Sequence, residues 1–104
     1  MIILTNRLEI AQAFAKKINS KFIYKIILFG SVARCEDNEE SDIDILIASN
    51  FPEKIENQID DEVAWIMHDK GELISAHIMS EDRFNNTQQF SFLSNVLSDG
   101  VEIG

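Results

Sequence analysis

The chain has 104 residues, enough for one hydrophobic core, and its 18 acidic against 9 basic residues give a formal net charge of -9. Such an acidic surface repels polyanions and offers little counterion release, so long DNA or RNA is not expected as a direct ligand. Cys35 is the only cysteine, and no apolar run is long enough for a signal peptide or membrane span, so we expect a cytoplasmic protein without an internal disulfide.

The first two predicted elements are a helix and a buried strand. Asn6 and Glu9 have the spacing of a capping box, and the helix they begin should end near residue 19 or 20. Apolar side chains recur along it at every fourth position: Ile10, Phe14 and Ile18. Residues 22–29 are rich in β-branched and aromatic side chains and run into Gly30, which indicates a strand that ends in a turn.

The middle of the chain predicts a short helix over residues 31–35, an acidic loop over residues 36–41 and a second strand over residues 42–48. After its first positions this strand is apolar on both faces, which is typical of a central strand covered on each side. A long helix then begins at Pro52 and stops at Gly71. Its apolar stripe is predicted to contain Ile55, Ile59, Val63, Ile66 and Met67.

The last third predicts a third strand over residues 73–79 and a short helix capped by Ser80. A further helical pattern follows in Phe92, Leu93, Val96 and Leu97. The apolar residues after Gly100 could form an edge strand. Alternating helices and strands predict a single α/β domain over residues 1–104, with helices packed on a small sheet. The pattern leaves open whether the strands are parallel.

Residues suited to nucleotide chemistry lie at the end of the first strand and the start of the second. Gly30 lets the backbone approach a ligand closely, and Ser31 adds a hydroxyl. Asp42 and Asp44 alternate along one strand, so their carboxylates should share a face and repel each other unless a cation lies between them. Mg²⁺ accepts one or two carboxylates together with substrate phosphates, and Arg34 could add donors to those phosphates.

Each part has a plainer interpretation when taken alone. A Gly-Ser pair is most often an ordinary turn, and two aspartates at the start of a strand are more often solvated than metal-bound. Their combination is more specific, because the turn ends one buried strand and the aspartates open the next.

Gly30-Ser31, ten intervening residues and Asp42-Ile43-Asp44 resemble the signature of the DNA polymerase β-like nucleotidyltransferase superfamily. The stretches LFGSVAR and SDIDILI resemble its minimal members, the MNT proteins. The resemblance extends over nearly the whole chain and implies a small mixed β-sheet with helices packed on it. It further implies that Gly30, Ser31 and Arg34 bind the nucleotide phosphates, while Asp42 and Asp44 are catalytic metal ligands.

The resemblance also implies a partner protein. Many MNT proteins are antitoxins paired with a HEPN ribonuclease toxin, and they are understood to transfer AMP from ATP to that toxin with Mg²⁺. We therefore expect a protein adenylyltransferase that works in a hetero-oligomer. The chain has little sequence beyond the motif, so the acceptor would be oriented by its own surface or by a second subunit.

The third strand departs from the family pattern, which usually has a third carboxylate there. Its interior offers Ser75 and His77, while Glu72 lies at its start and is the tentative third catalytic acid. His77 could act as a base, although a core or surface histidine is the plainer interpretation. The alternative function is a catalytically weak or inactive binding module that neutralises its partner by complex formation.

Overall fold

The computed structural model describes residues 6–104, apart from the side chain of Asn6, so the predicted Asn6 cap lies outside the described residues. The described elements are α1 (Asn6–Ile18), β1 (Ile23–Phe29), α2 (Gly30–Ala33), β2 (Ile43–Ser49), α3 (Pro52–Lys70), β3 (Ile74–Ser80), α4 (Glu81–Asn86), α5 (Ser91–Asp99) and β4 (Val101–Glu102). The predicted boundaries agree to within one or two residues. One prediction about a site residue is corrected: Asp42 immediately precedes β2 and is not its first residue.

The four described strands form a mixed sheet in the order β3-β2-β1-β4. β1 is antiparallel to both β2 and β4, whereas β2 and β3 are parallel. A parallel pair needs a long crossover connection, and α3 supplies it. The mixed sheet implied by the family resemblance is therefore confirmed, and the strand directions left open by the sequence are determined.

One face of the sheet packs against α1 and α3. The strands contribute buried side chains to this core from alternate positions: Ile26, Leu28, Ile43, Ile45 and Ile47. The helices contribute their apolar stripes: Ile10, Phe14, Ile18, Ile55, Ile59 and Ile66. The inclusion of Met67 in the α3 stripe was wrong, because one residue of rotation beyond Ile66 leaves its side chain 42% exposed.

The other face of the sheet packs against α4 and α5. Its core consists of Ile27, Leu46, Ala48, Phe84, Leu93 and Val96. β2 is buried on both faces, which confirms that it is the central strand predicted from its apolar run. Across residues 6–104, none of the helices has the length and apolar character needed to cross a bilayer.

Two predicted helix ends are confirmed by their hydrogen bonds. The Ser80 hydroxyl accepts a hydrogen bond from the backbone N–H of Arg83 at 3.1 Å, capping α4. Gly71 ends α3 with φ +67°, and its N–H donates to the carbonyl of Met67 at 3.0 Å.

Two leucines of α5 provide a matched test of its packing, because Leu93 is 2% exposed and Leu97 is 41% exposed. We expect Leu93→Ala to lower the free energy of unfolding by about 2–5 kcal/mol, since it removes a buried side chain and leaves a cavity. Leu97→Ala should change it by less than about 1 kcal/mol. Urea unfolding of both variants measures the difference, and equal losses would contradict the described docking of α5.

Candidate active site

The chain turns sharply where β1 ends, and Gly30 forms the corner. Its φ of +79° lies in the left-handed region, which favours glycine. A Cβ atom at this position would lie 2.3 Å from Oδ2 of Asp44, well inside van der Waals contact. The register that pairs Phe29 with Asp44 brings the turn against this carboxylate. Only glycine therefore allows the backbone and the carboxylate to approach so closely.

The two aspartates have different surroundings. Asp42 is exposed at the end of the loop, whereas Asp44 is half-buried as the second residue of β2. Burial raises the pKa of Asp44, and the negative charge of Asp42 raises it further. The charges of His77 and Arg34 act in the opposite direction but do not cancel the rise. A cation held between Asp44 and Asp42 would stabilise the charged form of both carboxylates.

Arg34 lies one turn beyond Gly30 and already contacts two carboxylates. Its Nε is 3.0 Å from Oε1 of Glu36, and its Nη1 is 3.6 Å from Oδ2 of Asp99. These pairs are exposed to solvent and therefore weak, so a phosphate could replace them. Ser31, half-buried at the start of α2, flanks the same turn.

The structure does not bring Glu72 to the two aspartates. Its Oε1 accepts a hydrogen bond from Nε of Arg7 at 2.9 Å, and it precedes β3 by two residues. Arg7 belongs to α1, which covers the opposite face of the sheet from His77. The residue of β3 that pairs with Asp44 is Ser75. In this arrangement Glu72 is an ion-pair partner of Arg7, and its tentative catalytic role stays a prediction that would require release from Arg7.

Arg7 is a site-supporting residue that the sequence reasoning missed. Besides Glu72, its guanidinium contacts the Asp37 carboxylate at 3.0 Å, the carbonyl of Glu39 at 3.1 Å and the carbonyl of Asn38. It thereby fastens the acidic loop that leads into Asp42. An available signal was its position in the first turn of a helix, where the helix dipole disfavours a cation.

Three rings meet beside Asp44 on the α4–α5 face of the sheet. The ring centroids of Phe29, His77 and Phe92 are separated by 5.6 to 5.9 Å. Nε2 of His77 also lies 3.5 Å from Oγ of Ser75. The sequence marked His77 as a possible base but gave no indication that Phe92 of α5 would reach this site.

Within residues 6–104, no three His, Cys, Asp or Glu side chains converge as a possible metal site. Asp42 and Asp44 could supply two hard oxygen ligands. Mg²⁺ is commonly bound in this way, with the remaining positions taken by phosphate oxygens and water. The donor chemistry of the two carboxylates therefore fits a cation that arrives with a nucleotide.

A glycine-serine turn, two aspartates and a small mixed sheet together define an MNT-type nucleotidyltransferase fold. The sequence matches the family model for the nucleotidyltransferase domain over residues 9–97. The chain therefore belongs to the nucleotidyltransferase domain family.

Known relatives agree with this assignment. A protein of Methanocaldococcus jannaschii named "putative protein adenylyltransferase" is 38% identical over 98 residues, covering 91% of this chain and 95% of its own. The crystal structure of a "putative nucleotidyltransferase" from Sulfolobus solfataricus aligns with a TM-score of 0.57 at 19% identity, covering 92% of this chain and 78% of the other. A toxin-antitoxin structure with AMP-PNP aligns with a TM-score of 0.58 at 14% identity, covering 98% and 73%. The two structures support the fold.

Gly30 and Gly71 both have positive φ, but nothing lies within 4 Å of a Cβ built at Gly71. We expect Gly71→Ala to cost about 1–2 kcal/mol of unfolding free energy for the left-handed backbone alone. Gly30→Ala should cost roughly 1–3 kcal/mol more, because its methyl group collides with Asp44. Thermal or urea unfolding compares the two variants. Equal losses would show that the Asp44 carboxylate moves aside without cost.

The raised pKa of Asp44 predicts a pH-dependent stability. The native state then binds the Asp44 proton more tightly than the unfolded chain, so stability falls as pH rises from about 3.8 through the native pKa and is level above it. Asp44→Asn should therefore be more stable than the unsubstituted protein at pH 7, with the gap closing at acidic pH. Urea unfolding across this range measures the gap, and a less stable variant at pH 7 would contradict the prediction.

Proposed function

We propose that the protein is a Mg²⁺-dependent nucleotidyltransferase that transfers AMP from ATP to a partner protein. The observation that carries the proposal is the contact of the Gly30 turn with the Asp44 carboxylate, with Asp42 two residues away in sequence. The name of the Methanocaldococcus jannaschii relative, whose length the chain covers almost entirely, supports protein as the acceptor.

The turn would hold the phosphates of ATP. The Ser31 hydroxyl and the Arg34 guanidinium would donate hydrogen bonds to them beside the Gly30 corner. Arg34 would exchange its contacts with Glu36 and Asp99 for phosphate oxygens. Because both ion pairs are exposed to solvent and weak, the exchange would cost little.

Asp42 and Asp44 would hold Mg²⁺. When bound, the ion neutralises charge on the phosphates and polarises the α-phosphorus toward attack. The half-buried Asp44 gains most from the cation, because burial and the neighbouring Asp42 both disfavour its negative charge. Asp42 and Asp44 would thus supply the negative charge that attracts the cation to the start of β2.

The transfer itself forms one bond and breaks one. A hydroxyl oxygen of the acceptor bonds to the α-phosphorus, the bond from that phosphorus to the bridging oxygen breaks, and pyrophosphate leaves. The hydroxyl proton passes to a base or to water. His77 is the candidate base on the Asp44 side of the sheet, whereas Glu72 could serve only after release from Arg7.

We further propose that the acceptor is a HEPN-type toxin and that the chain acts as its antitoxin in a cytoplasmic hetero-oligomer. The MNT resemblance supports this partner, and a toxin-antitoxin structure shares the fold. The net charge of -9 suits a basic partner surface better than a polyanion.

A second candidate is a binding module that neutralises the partner without transfer. The observation in its favour is the identity of the β3 residue that pairs with Asp44 of β2. That residue is Ser75, followed on the same face by His77, and neither is a carboxylate. A site with a weakened base would still bind a nucleotide and a partner.

The test is to incubate the protein with the protein encoded by the neighbouring gene, Mg²⁺ and ATP, and to record intact masses of both chains. We expect the partner to gain whole AMP units. Asp42→Asn and Asp44→Asn should each slow the gain roughly 100-fold or more, because they remove metal ligands. Asp60→Asn on the exposed side of α3 is the matched control, since it makes the same charge change away from the site.

Unchanged masses in a stable complex would reject transfer and favour the binding module. Equal rates for Asp44→Asn and Asp60→Asn would reject the assigned site. Omitting Mg²⁺ should stop the mass gain, and a gain that persists in a chelator would reject the metal.

A further inference from the structure

A pocket of about 220 Å³ lies between the Gly30 turn and α5, and the transfer chemistry leaves it unassigned. Its lining residues are Phe29, Gly30, Arg34, Phe92, Asn95, Val96 and Asp99. Because Gly30 and Arg34 belong to both sites, the pocket is continuous with the proposed phosphate position. A nucleotide held at the turn would have this pocket within reach.

The α5 wall of the pocket is a stripe at helical spacing. Phe92, Asn95 and Asp99 follow one another at three and four residues and line the pocket. Leu93 and Val96, on the buried side of the same helix, fix α5 against the sheet. The stripe therefore presents an aromatic ring, a carboxamide and a carboxylate from a firmly packed helix.

The ring of Phe92 is 46% exposed, although it packs edge-on against Phe29 at 5.9 Å between centroids. An exposed aromatic face beside a phosphate site is suited to stacking on a nucleobase. The ion pair between Arg34 and Asp99 ties the phosphate turn to the far end of the same stripe. Arg34, a proposed phosphate donor, and the ring of Phe92 thus line the same pocket.

We propose that this pocket binds the base of the nucleotide and that Asn95 makes it selective for adenine. The proposal rests on the proposed nucleotidyltransferase function and specifies its substrate. A carboxamide can donate to N7 and accept from the N6 amino group of adenine, whereas guanine presents acceptors at both N7 and O6. The Asn95 oxygen would face an acceptor if guanine entered, so guanine loses one hydrogen bond and adds a repulsion.

The test measures binding of ATP and GTP to the whole protein with Mg²⁺, by calorimetry, in four forms of the chain. The unsubstituted protein should bind ATP about 10-fold or more tightly than GTP, which corresponds to the discrimination given by one bidentate contact. Asn95→Ala should reduce the ratio to near one, while Asn57→Ala, an exposed asparagine on α3, should leave it unchanged. Phe92→Leu should weaken both nucleotides about 10-fold, because stacking does not depend on the base.

The outcomes separate this inference from the function on which it rests. AMP transfer that depends on Asp44, with an ATP to GTP ratio unaffected by Asn95→Ala, would overturn the base pocket and leave the transferase standing. A protein that binds neither nucleotide would overturn both. If Phe92→Leu and Asn95→Ala abolish the partner complex while nucleotide binding is unchanged, the stripe is a protein contact and the inference is rejected. Thermal unfolding of each variant checks that these exposed substitutions preserve the fold.

Discussion

The candidate site depends on the space that Gly30 leaves for the carboxylate of Asp44. A side chain at that corner would occupy the position of Oδ2, so the turn, the β1–β2 register and the half-burial of Asp44 are compatible only with glycine. The same contact brings the start of α2 to the start of β2, which Asp42 immediately precedes. Phosphate binding and metal binding are proposed for one corner because this contact joins them.

Much of the fold could be predicted because its signals are local. The apolar run of β2 indicated burial on both faces, and Gly71 marked the end of α3, since each depends on residues close in sequence. The position of Glu72 could not be predicted in this way. Its partner Arg7 is 65 residues distant, and only tertiary packing brings the two together. Phe92 likewise reaches the site only because α5 packs on the sheet there. The helical pattern of α5 does not indicate where on the sheet the helix packs.

Positive charge is scarce in this molecule, and its two described arginines near the site are already paired with carboxylates. Arg7 holds the acidic loop and Glu72, while Arg34 contacts Glu36 and Asp99. The chain as a whole has 18 acidic and 9 basic residues, so its net charge repels a triphosphate. A divalent cation would offset this unfavourable charge, and the proposed nucleobase pocket would add binding energy that does not depend on charge.

The contacts of Arg7 with the acidic loop and Glu72 also bear on the order in which the molecule folds. The turn and its aspartates belong to one antiparallel pair, β1 and β2, which closes only a short loop and can form early. Arg7 reaches Glu72 only after α3 has crossed over and β3 has joined the sheet. The Arg7–Glu72 ion pair is therefore made late, whereas the contacts of Arg7 with Asp37, Asn38 and Glu39 need only α1 and the acidic loop. One guanidinium thus joins three segments that are distant along the chain: α1, the acidic loop and the segment just before β3.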